Sequence, residues 1–281
     1  MWTQKQVRRF GFACFCCIIN LSFISEGDLM ELNETLKKQL DHRTIRAFKE
    51  QILSQEQLVT LLEVARHTST SMFMQGFSVM HITDPKKRAA IRNISTQPYV
   101  GANGDLFIFM VDLYRNYQIR KQTGHDAGRV HTTDIFLQAY EDTVLAVQNV
   151  LNAAESMGLG GVILGSINND PAKLVEVLDL PKLTYPVLGL QVGVPDQAPQ
   201  LKPRLPLEFI AFGNDYPKDF KASDLKDYDE VVQTYYDLRD ANRRIDSFTN
   251  QVIGPKLSVA SKKRDEQVKV LKAQGLCLDF N

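Results

Sequence analysis

The segment DHRTIRAFKE, residues 41–50, gathers cationic and hydroxyl donors within a few positions. His42, Arg43 and Arg46 surround Thr44. Guanidinium groups give planar, bidentate hydrogen bonds to phosphate oxygens, and a threonine hydroxyl adds a neutral donor. The set is therefore typical of an anion-binding site. We expect the two arginines, three positions apart, to lie in a turn or short helix.

A second cationic pair occurs in LKPRLP, where Lys202 and Arg204 are two positions apart. An extended backbone would point both side chains to the same side. The two clusters together could hold one phosphate. For each cluster alone, a solvated ion pair remains an open alternative, because surface charges often contribute little.

The overall composition gives no general reason for this local excess of cations. The chain of 281 residues carries 33 basic and 33 acidic residues, which does not indicate nucleic-acid binding. Its hydrophobic content of 44% is ordinary for a globular protein with a full core. Three of four cysteines crowd at positions 14, 16 and 17, with no disulfide pattern. This favours a reducing compartment and a cytoplasmic location.

Common catalytic signatures are missing from the sequence. In GLGGVILG, residues 158–165, Ile163 stands where a dinucleotide fingerprint needs its third glycine. Walker A, GxSxG and HExxH motifs do not occur, and His125 and His131 have no partner at ligand spacing. We therefore expect no metal and no nucleophilic side chain.

The first 29 residues differ in composition from the rest. Lys5, Arg8 and Arg9 precede a short apolar run that resembles a signal peptide but lacks a clear cleavage site. The run is also too interrupted for a secure transmembrane helix. An extension from a mis-assigned start, a tail and a signal-like segment all remain open, with the main chain beginning at Met30. A leucine every four residues predicts a helix soon after that position.

Hydrophobic periodicity and capping residues predict the elements that must position the polar groups. Expected helices cover 55–67, 85–93, 132–159, 171–178, 228–244 and 256–274, and expected strands cover 77–82, 106–113, 161–165 and 186–193. The strand LFIFMVDL is apolar at nearly every position, which predicts a central place in its sheet. One α+β domain over 30–281 accommodates this series.

Local signals fix some boundaries more firmly. Ser54 and Gln57 form a capping-box pattern at the start of the helix over 55–67. The long apolar helix over 132–159 should begin at a cap on Thr133, end at Gly158 and be buried. The polar segment 115–131 should form a variable loop or helix at the rim of the active site.

Six blocks of sequence, in order, resemble the nitroreductase family in its NADPH-dependent flavin and nitro reductase branch: HRTIRAF, TSTSMFMQGFSVMHITD, TQPYVGANGDLFIFMVDL, QNVLNAAESMGLGGV, LGSINND and LGLQVGVPDQAPQLKPRLPLEF. The resemblance implies a central, mostly antiparallel sheet flanked by helices, with a long buried central helix. It also implies an intertwined homodimer with one FMN in each of two interface sites. The implied reaction is a ping-pong cycle in which hydride from NADPH passes through FMN N5 to nitroaromatics, quinones, azo compounds or free flavin.

The resemblance also assigns roles to individual residues. The family's FMN-binding positions fall on His42, Arg43, Thr44, Arg46, Thr70, Gln97, Tyr99, Gly165, Ser166, Lys202 and Arg204. Of these, Arg46 is expected near the pyrimidine edge, and Thr70 should reach FMN from the partner subunit. The backbone N–H groups of Gly165 and Ser166 are expected near flavin N5, and no side chain is expected to act as a catalytic nucleophile.

NADPH selection is expected from the segment YYDLRDANRRIDSF. Arg239 and Arg243, with Arg244 beside them, match arginines that bind the 2′-phosphate, although nearby aspartates could instead neutralise them. Phe73 matches an aromatic residue of the substrate pocket, although a core position is an alternative.

Three positions depart from the family pattern. Thr44 replaces a serine, Ser166 replaces a glycine and Asn168 stands where many relatives have an arginine. The last change removes a cation near the substrate pocket. This change and the open roles of Arg239 and Arg243 leave an alternative function, a flavin-binding, redox-responsive protein without efficient turnover.

Overall fold

The computed structural model describes residues 31–239 and 246–280. They form two compact units. The sheet unit comprises residues 38–199 and 260–280, and the helical unit comprises the described residues of 1–37 and 200–259. The expectation of a single domain over 30–281 stays a prediction, and the expected extension 1–29 lies outside the described residues.

Four strands form one sheet in the sheet unit. They are β1 (Phe77–Ile82), β2 (Asp105–Asp112), β3 (Gly160–Leu164) and β4 (Thr184–Gly193), in the spatial order β1-β2-β4-β3. All three pairings are antiparallel. The predicted central place of β2 is confirmed, because side chains from alternate positions of this strand enter cores on both faces of the sheet.

The helices predicted before residue 240 occur in the predicted order, whereas the helix at Phe248–Ile253 was not predicted. They are α1 (Glu34–Leu40), α2 (Gln55–Arg66), α3 (Pro85–Ser95), α4 (Tyr114–Gln122), α5 (Thr133–Ser156), α6 (Pro171–Leu178), α7 (Lys226–Arg239), α8 (Phe248–Ile253), α9 (Pro255–Ser258) and α10 (Gln267–Ala273). Among the described residues, no helix combines the length and the apolar character needed to cross a membrane.

The single helix predicted over 256–274 is wrong. The chain forms α9, then a 3-10 turn at Arg264–Glu266, and then α10. Between the helices, the Ser261 N–H donates to the Asp265 carboxylate at 2.7 Å. Such local side-chain bonds compete with continuous helix formation.

Helices cover both faces of the sheet. Phe107 and Phe109 of β2 pack with α2 and α5 on one face, while Leu106 and Ile108 pack with α3 and α6 on the other. This layering holds in place the end of β3, which is followed by Gly165 and Ser166, and the loop before β2, which carries Gln97 and Tyr99.

The long helix α5 begins and ends at recognisable signals. Its N-cap is Thr132 rather than the predicted Thr133, and the Thr132 hydroxyl accepts from the Ile135 N–H. The predicted stop is confirmed, because Gly158 adopts a φ of +78° just after the helix. One face of α5 is buried in the core, whereas Leu137, Tyr140 and Leu145 are exposed on the other face.

Candidate functional site

The cationic segment 42–48 is extended, so the prediction that Arg43 and Arg46 share a turn or short helix is wrong. The Ile45 N–H donates to the Gly161 carbonyl at 3.0 Å, and the segment forms a parallel bridge to β3. Ile45 is buried in the same core as β3. Burial of this side chain therefore favours pairing with the strand over a local turn.

Two glycines of GLGGVILG allow close packing, Gly160 against Ile45 of this segment and Gly161 against Leu151 of α5. A Cβ built on Gly160 would lie 2.6 Å from Ile45 Cγ1, and one on Gly161 would lie 2.5 Å from Leu151 Cδ1. Both distances are too short for real carbon contacts, so only glycine fits without displacement. These glycines serve packing, which agrees with their failure to match a dinucleotide-binding motif.

Arg46 and Tyr99 meet although they are far apart in sequence. The Arg46 guanidinium carbon lies 6.0 Å from the centre of the Tyr99 ring, within reach of a cation–π contact. Tyr99 and Gln97 belong to the turn after α3, and the Gln97 N–H donates to Ser95 Oγ at 3.1 Å. All three expected site residues are half-buried.

Gly165 and Ser166 begin a 3-10 turn at Gly165–Asn169, directly after β3. The Asn169 side chain donates to the Ser95 carbonyl at 3.0 Å, which ties this turn to the end of α3. A Cβ added to Gly165 would have its nearest neighbour 3.8 Å away, so this backbone presents an open face. Segments around residues 45, 97 and 165 are thus joined within the sheet unit.

Arg264 is a cation at this turn that sequence reasoning missed. Its guanidinium donates to the Gly165 carbonyl at 3.0 Å and to the Asn169 side chain at 3.1 Å. The run KKRDE around it resembles an ordinary charged helix surface, so no local signal marks it. Asn168 is buried and donates to the Val187 carbonyl at 2.7 Å, but its Oδ1 has no partner among the described residues.

The same turn ends at Asp170, the N-cap of α6. Its carboxylate accepts from the Lys173 N–H at 3.1 Å and pairs with the Lys263 ammonium. Burial alone would raise the pKa of Asp170, but the hydrogen bonds and the positive charges of the two lysines lower it overall. The turn is therefore anchored through an ionised carboxylate.

His42 and Arg43, expected at a phosphate, each have a carboxylate partner in the chain. His42 Nδ1 lies 2.5 Å from Glu155 Oε1 at the end of α5, and Arg43 pairs with Asp41. Arg43 also lines a cavity of about 440 Å³ beside Gly160. The ion-pair alternative for this cluster stays open. The Thr44 carbonyl accepts from the Gln197 side-chain amide at 3.5 Å.

The other expected cations lie in the helical unit or outside the described residues. Lys202 and Arg204 have exposed side chains in a stretch without regular secondary structure, and Arg204 donates to the Lys202 carbonyl at 3.3 Å. Arg239 is the last residue of α7, and Arg243 lies outside the described residues, as does Arg244. Their assignment to FMN or NADPH stays a prediction.

Thr70 and Phe73 belong to a loop between α2 and β1 with an unusual backbone. Met72, Phe73 and Gln75 all have positive φ values of 49°, 59° and 51°. Phe73 is 80% exposed, so the alternative that it belongs to the core is wrong. Its ring lines a cavity of about 890 Å³, and Thr70 is half-buried at the start of the loop.

A buried carboxylate on α5 holds this loop. Asp142 is 3% exposed, and its two oxygens accept from the Ser71 N–H at 2.7 Å and the Gly76 N–H at 3.3 Å. The Ser71 hydroxyl also donates to the Gln138 side chain at 2.8 Å. Asp142 was not predicted from the sequence, because a single acidic residue on a long helix is usually solvated.

The donors that the sheet unit brings together fit a planar, anionic cofactor. Arg46 supplies a cation beside an aromatic ring, and Gly165 supplies an open backbone beside the Arg264 guanidinium. Within the described ranges, no group of three His, Cys, Asp or Glu side chains could hold a metal ion. The site can bind and polarise an organic group through cations and backbone donors.

Comparison with known proteins agrees with this architecture. The "Nitroreductase family" model matches residues 40–194, and "Nitroreductase family, C-terminal domain" matches residues 202–279. The FMN reductase (NADPH) of Bacillus subtilis strain 168 is 36% identical over 227 residues, covering 79% of this chain and 91% of that protein.

Solved structures show the same fold. The NfrA1 nitroreductase from B. subtilis superposes with a TM-score of 0.80 at 33% identity, covering 87% of this chain and 99% of its own. The NADPH:FMN oxidoreductase from Vibrio harveyi complexed with NAD+ has a TM-score of 0.78 at 31% identity, covering 88% and 100%. The resemblance and the α+β fold predicted from sequence are confirmed. The chain belongs to the nitroreductase family.

Proposed function

We propose that the protein is an NADPH-dependent FMN oxidoreductase. Two similar proteins carry names that specify FMN and NADPH, the FMN reductase (NADPH) of B. subtilis and the NADPH:FMN oxidoreductase of V. harveyi. The observation that carries the proposal is the junction of Arg46, Tyr99 and the Gly165 turn in one region of the sheet unit. FMN, when bound, supplies the centre that takes a hydride from NADPH and passes electrons to an acceptor.

The chain's own residues bind and polarise the cofactor. Arg46 would stabilise negative charge at the pyrimidine edge and so favour the reduced form. Gly165 and Ser166 would orient the ring through backbone N–H groups, and Gln97 and Tyr99 would line its edge. His42, Arg43 and Thr44 would bind the phosphate and ribityl end, and the resemblance in sequence assigns Lys202 and Arg204 to the phosphate as well.

The exposed Phe73 supports a pocket for planar acceptors. An aromatic ring that is 80% exposed beside a cavity of about 890 Å³ offers a flat apolar surface. We assign nitroaromatics, quinones, azo compounds and free flavin as the acceptor classes, because stacking on such a surface discriminates little between planar molecules.

A homodimer is part of the proposal. Leu137, Tyr140 and Leu145 lie on one face of α5 and are exposed in the single chain. Three large apolar side chains at helical spacing support an interface with a second copy. In that dimer, Thr70 would reach the partner subunit's cofactor. A cytoplasmic location, expected from the cysteine pattern, belongs to the same proposal.

An anaerobic absorbance scan tests the function directly. The purified protein is recorded before and after one equivalent of NADPH, and then with NADH in a separate sample. We expect an oxidised flavin spectrum that bleaches rapidly with NADPH and more slowly with NADH. A yellow protein that stays yellow after NADPH is added would favour the alternative function, a flavin-binding protein without turnover. A protein that binds no added FMN would refute the proposal.

The assigned phosphate contact has its own test. Arg204→Ala should weaken FMN binding at least tenfold, because it removes a charge-assisted contact of about 1.5–3 kcal/mol. The control is Lys218→Ala, which removes another exposed cation of the helical unit. FMN affinity is measured by quenching of flavin fluorescence. Equal affinities of the two variants would reject the assignment.

A further inference from the structure

Gln191 of the central strand β4 is directed into the loop 97–104. Its side chain is 0% exposed, and its Oε1 accepts from the Gly101 N–H at 2.8 Å. Its Nε2 donates to the Tyr99 carbonyl at 3.0 Å and to the Asn103 carbonyl at 2.7 Å. One amide therefore makes three hydrogen bonds to one loop from a strand with neighbours on both sides.

Two arginines of α3 also bind this loop. Arg88 donates to the carbonyls of Gly101, Ala102 and Gly104 at 3.0, 2.8 and 2.7 Å. Arg92, one turn further along the helix, donates to two carbonyls of the loop at 2.8 and 2.5 Å. Burial lowers the pKa of Arg88. Both guanidinium groups are thus hydrogen-bonded to backbone carbonyls.

The loop needs such support because it has no regular secondary structure of its own. Gly101 and Gly104 have φ values of +62° and +77°, so the chain reverses direction there and turns its carbonyls inward. Buried backbone carbonyls require hydrogen-bond donors. The side chains of Gln191, Arg88 and Arg92 supply them.

We propose that Gln191, supported by Arg88, is a positioning residue for the FMN site. The loop that it fixes carries Tyr99, whose ring contacts Arg46. Since Gln191 is fully buried, its effect on the cofactor passes through the loop rather than through direct contact. This inference rests on the proposed function and adds a determinant of cofactor affinity in the sheet core.

Gln191→Leu tests the inference because it keeps the volume and removes all three hydrogen bonds. We expect the Kd for FMN to rise at least tenfold. The reduction potential of bound flavin should also shift, because Arg46 would no longer be held against Tyr99. Gln51→Leu is the matched control, since it changes an exposed glutamine of the same unit.

Hydrogen exchange separates a local effect from unfolding. In the Gln191→Leu variant, amides of residues 97–104 should exchange faster, while those of β2 should keep the wild-type rate. If that variant does not fold, Arg88→Lys is used, because it keeps the charge but loses the guanidinium fork. The same faster exchange of the loop and the same rise in Kd are expected from it.

The outcomes are distinct. An unchanged Kd and potential in a folded variant whose loop exchanges faster would overturn the inference alone. Equal changes in Gln191→Leu and Gln51→Leu would also overturn it. A wild-type protein that binds no FMN would overturn both the inference and the proposed function.

Discussion

Removal of the Asp142 carboxylate should release a strained loop. Its two hydrogen bonds, to the N–H groups of Ser71 and Gly76, are bonds to a charged acceptor, each contributing about 1.5–3 kcal/mol, or about 3–6 kcal/mol together. Three non-glycine residues between them have positive φ values. Such conformations cost on the order of 1 kcal/mol or more each. The stabilisation by the two hydrogen bonds and the strain of the loop are therefore of similar size.

The net loss of stability in Asp142→Ala should be smaller than the two bonds suggest. When the bonds are lost, the loop can relax, and roughly 3 kcal/mol of strain is released with them. We expect the free energy of unfolding to fall by up to about 3 kcal/mol, measured by urea denaturation. Hydrogen exchange should accelerate in residues 70–76, and the KM for a quinone acceptor should rise because Phe73 is no longer fixed.

Glu141→Ala is the control for this experiment. Glu141 precedes Asp142 on the same helix, but its side chain is exposed, so its removal should cost less than about 1 kcal/mol. Equal losses of stability and equal hydrogen exchange of residues 70–76 in the two variants would refute the special role of Asp142. A loss above about 5 kcal/mol without local exchange would refute the strain argument.

Three further changes give defined outcomes. Gly160→Ala should lower the free energy of unfolding by about 1–3 kcal/mol, because the new methyl group would lie 2.6 Å from Ile45; an unchanged urea midpoint would contradict this. Asp170 has a pKa below its ordinary value of 3.8, so its ionised form stabilises the fold above that pH, and this contribution is lost as pH falls through the lowered pKa. Asp170→Asn should thus be less stable than wild type at neutral pH, with a difference that vanishes in strong acid; a constant difference in acid titrations would count against it. Arg239→Ala combined with Arg243→Ala should raise the KM for NADPH at least tenfold, about 1.4 kcal/mol, with NADH little affected; equal losses in steady-state assays would mean a structural role.

Sequence patterns correctly predicted the helices and strands that depend on residues close together in the chain. The capping box of Ser54 and Gln57 marks the start of α2, and the structure shows both of its hydrogen bonds. Nearly every residue of β2 is apolar, which predicted a central strand, because a strand that is covered on both faces has no polar side. In these cases, the residues that decide the structure are neighbours in sequence.

Features that depend on distant contacts were not predicted. The extended course of residues 42–48 depends on the absence of a side chain at Gly160, far along the chain. Arg264 is indistinguishable from a surface arginine until the turn beside it has formed. Gln191 did carry a signal, because it is a polar residue inside the apolar run VLGLQVGV. A central strand with one amide predicts a buried hydrogen-bond network.

The pairing of segment 42–48 with β3 also has a consequence for solubility. β3 is an edge strand, and its outer side is covered at Gly161 by this segment. An uncovered edge would offer unpaired backbone groups to strands of other molecules. The stretch that supplies the first cations of the proposed site therefore also protects the sheet against edge-to-edge aggregation. Variants in which this segment is detached from β3 should both lose the cofactor and aggregate.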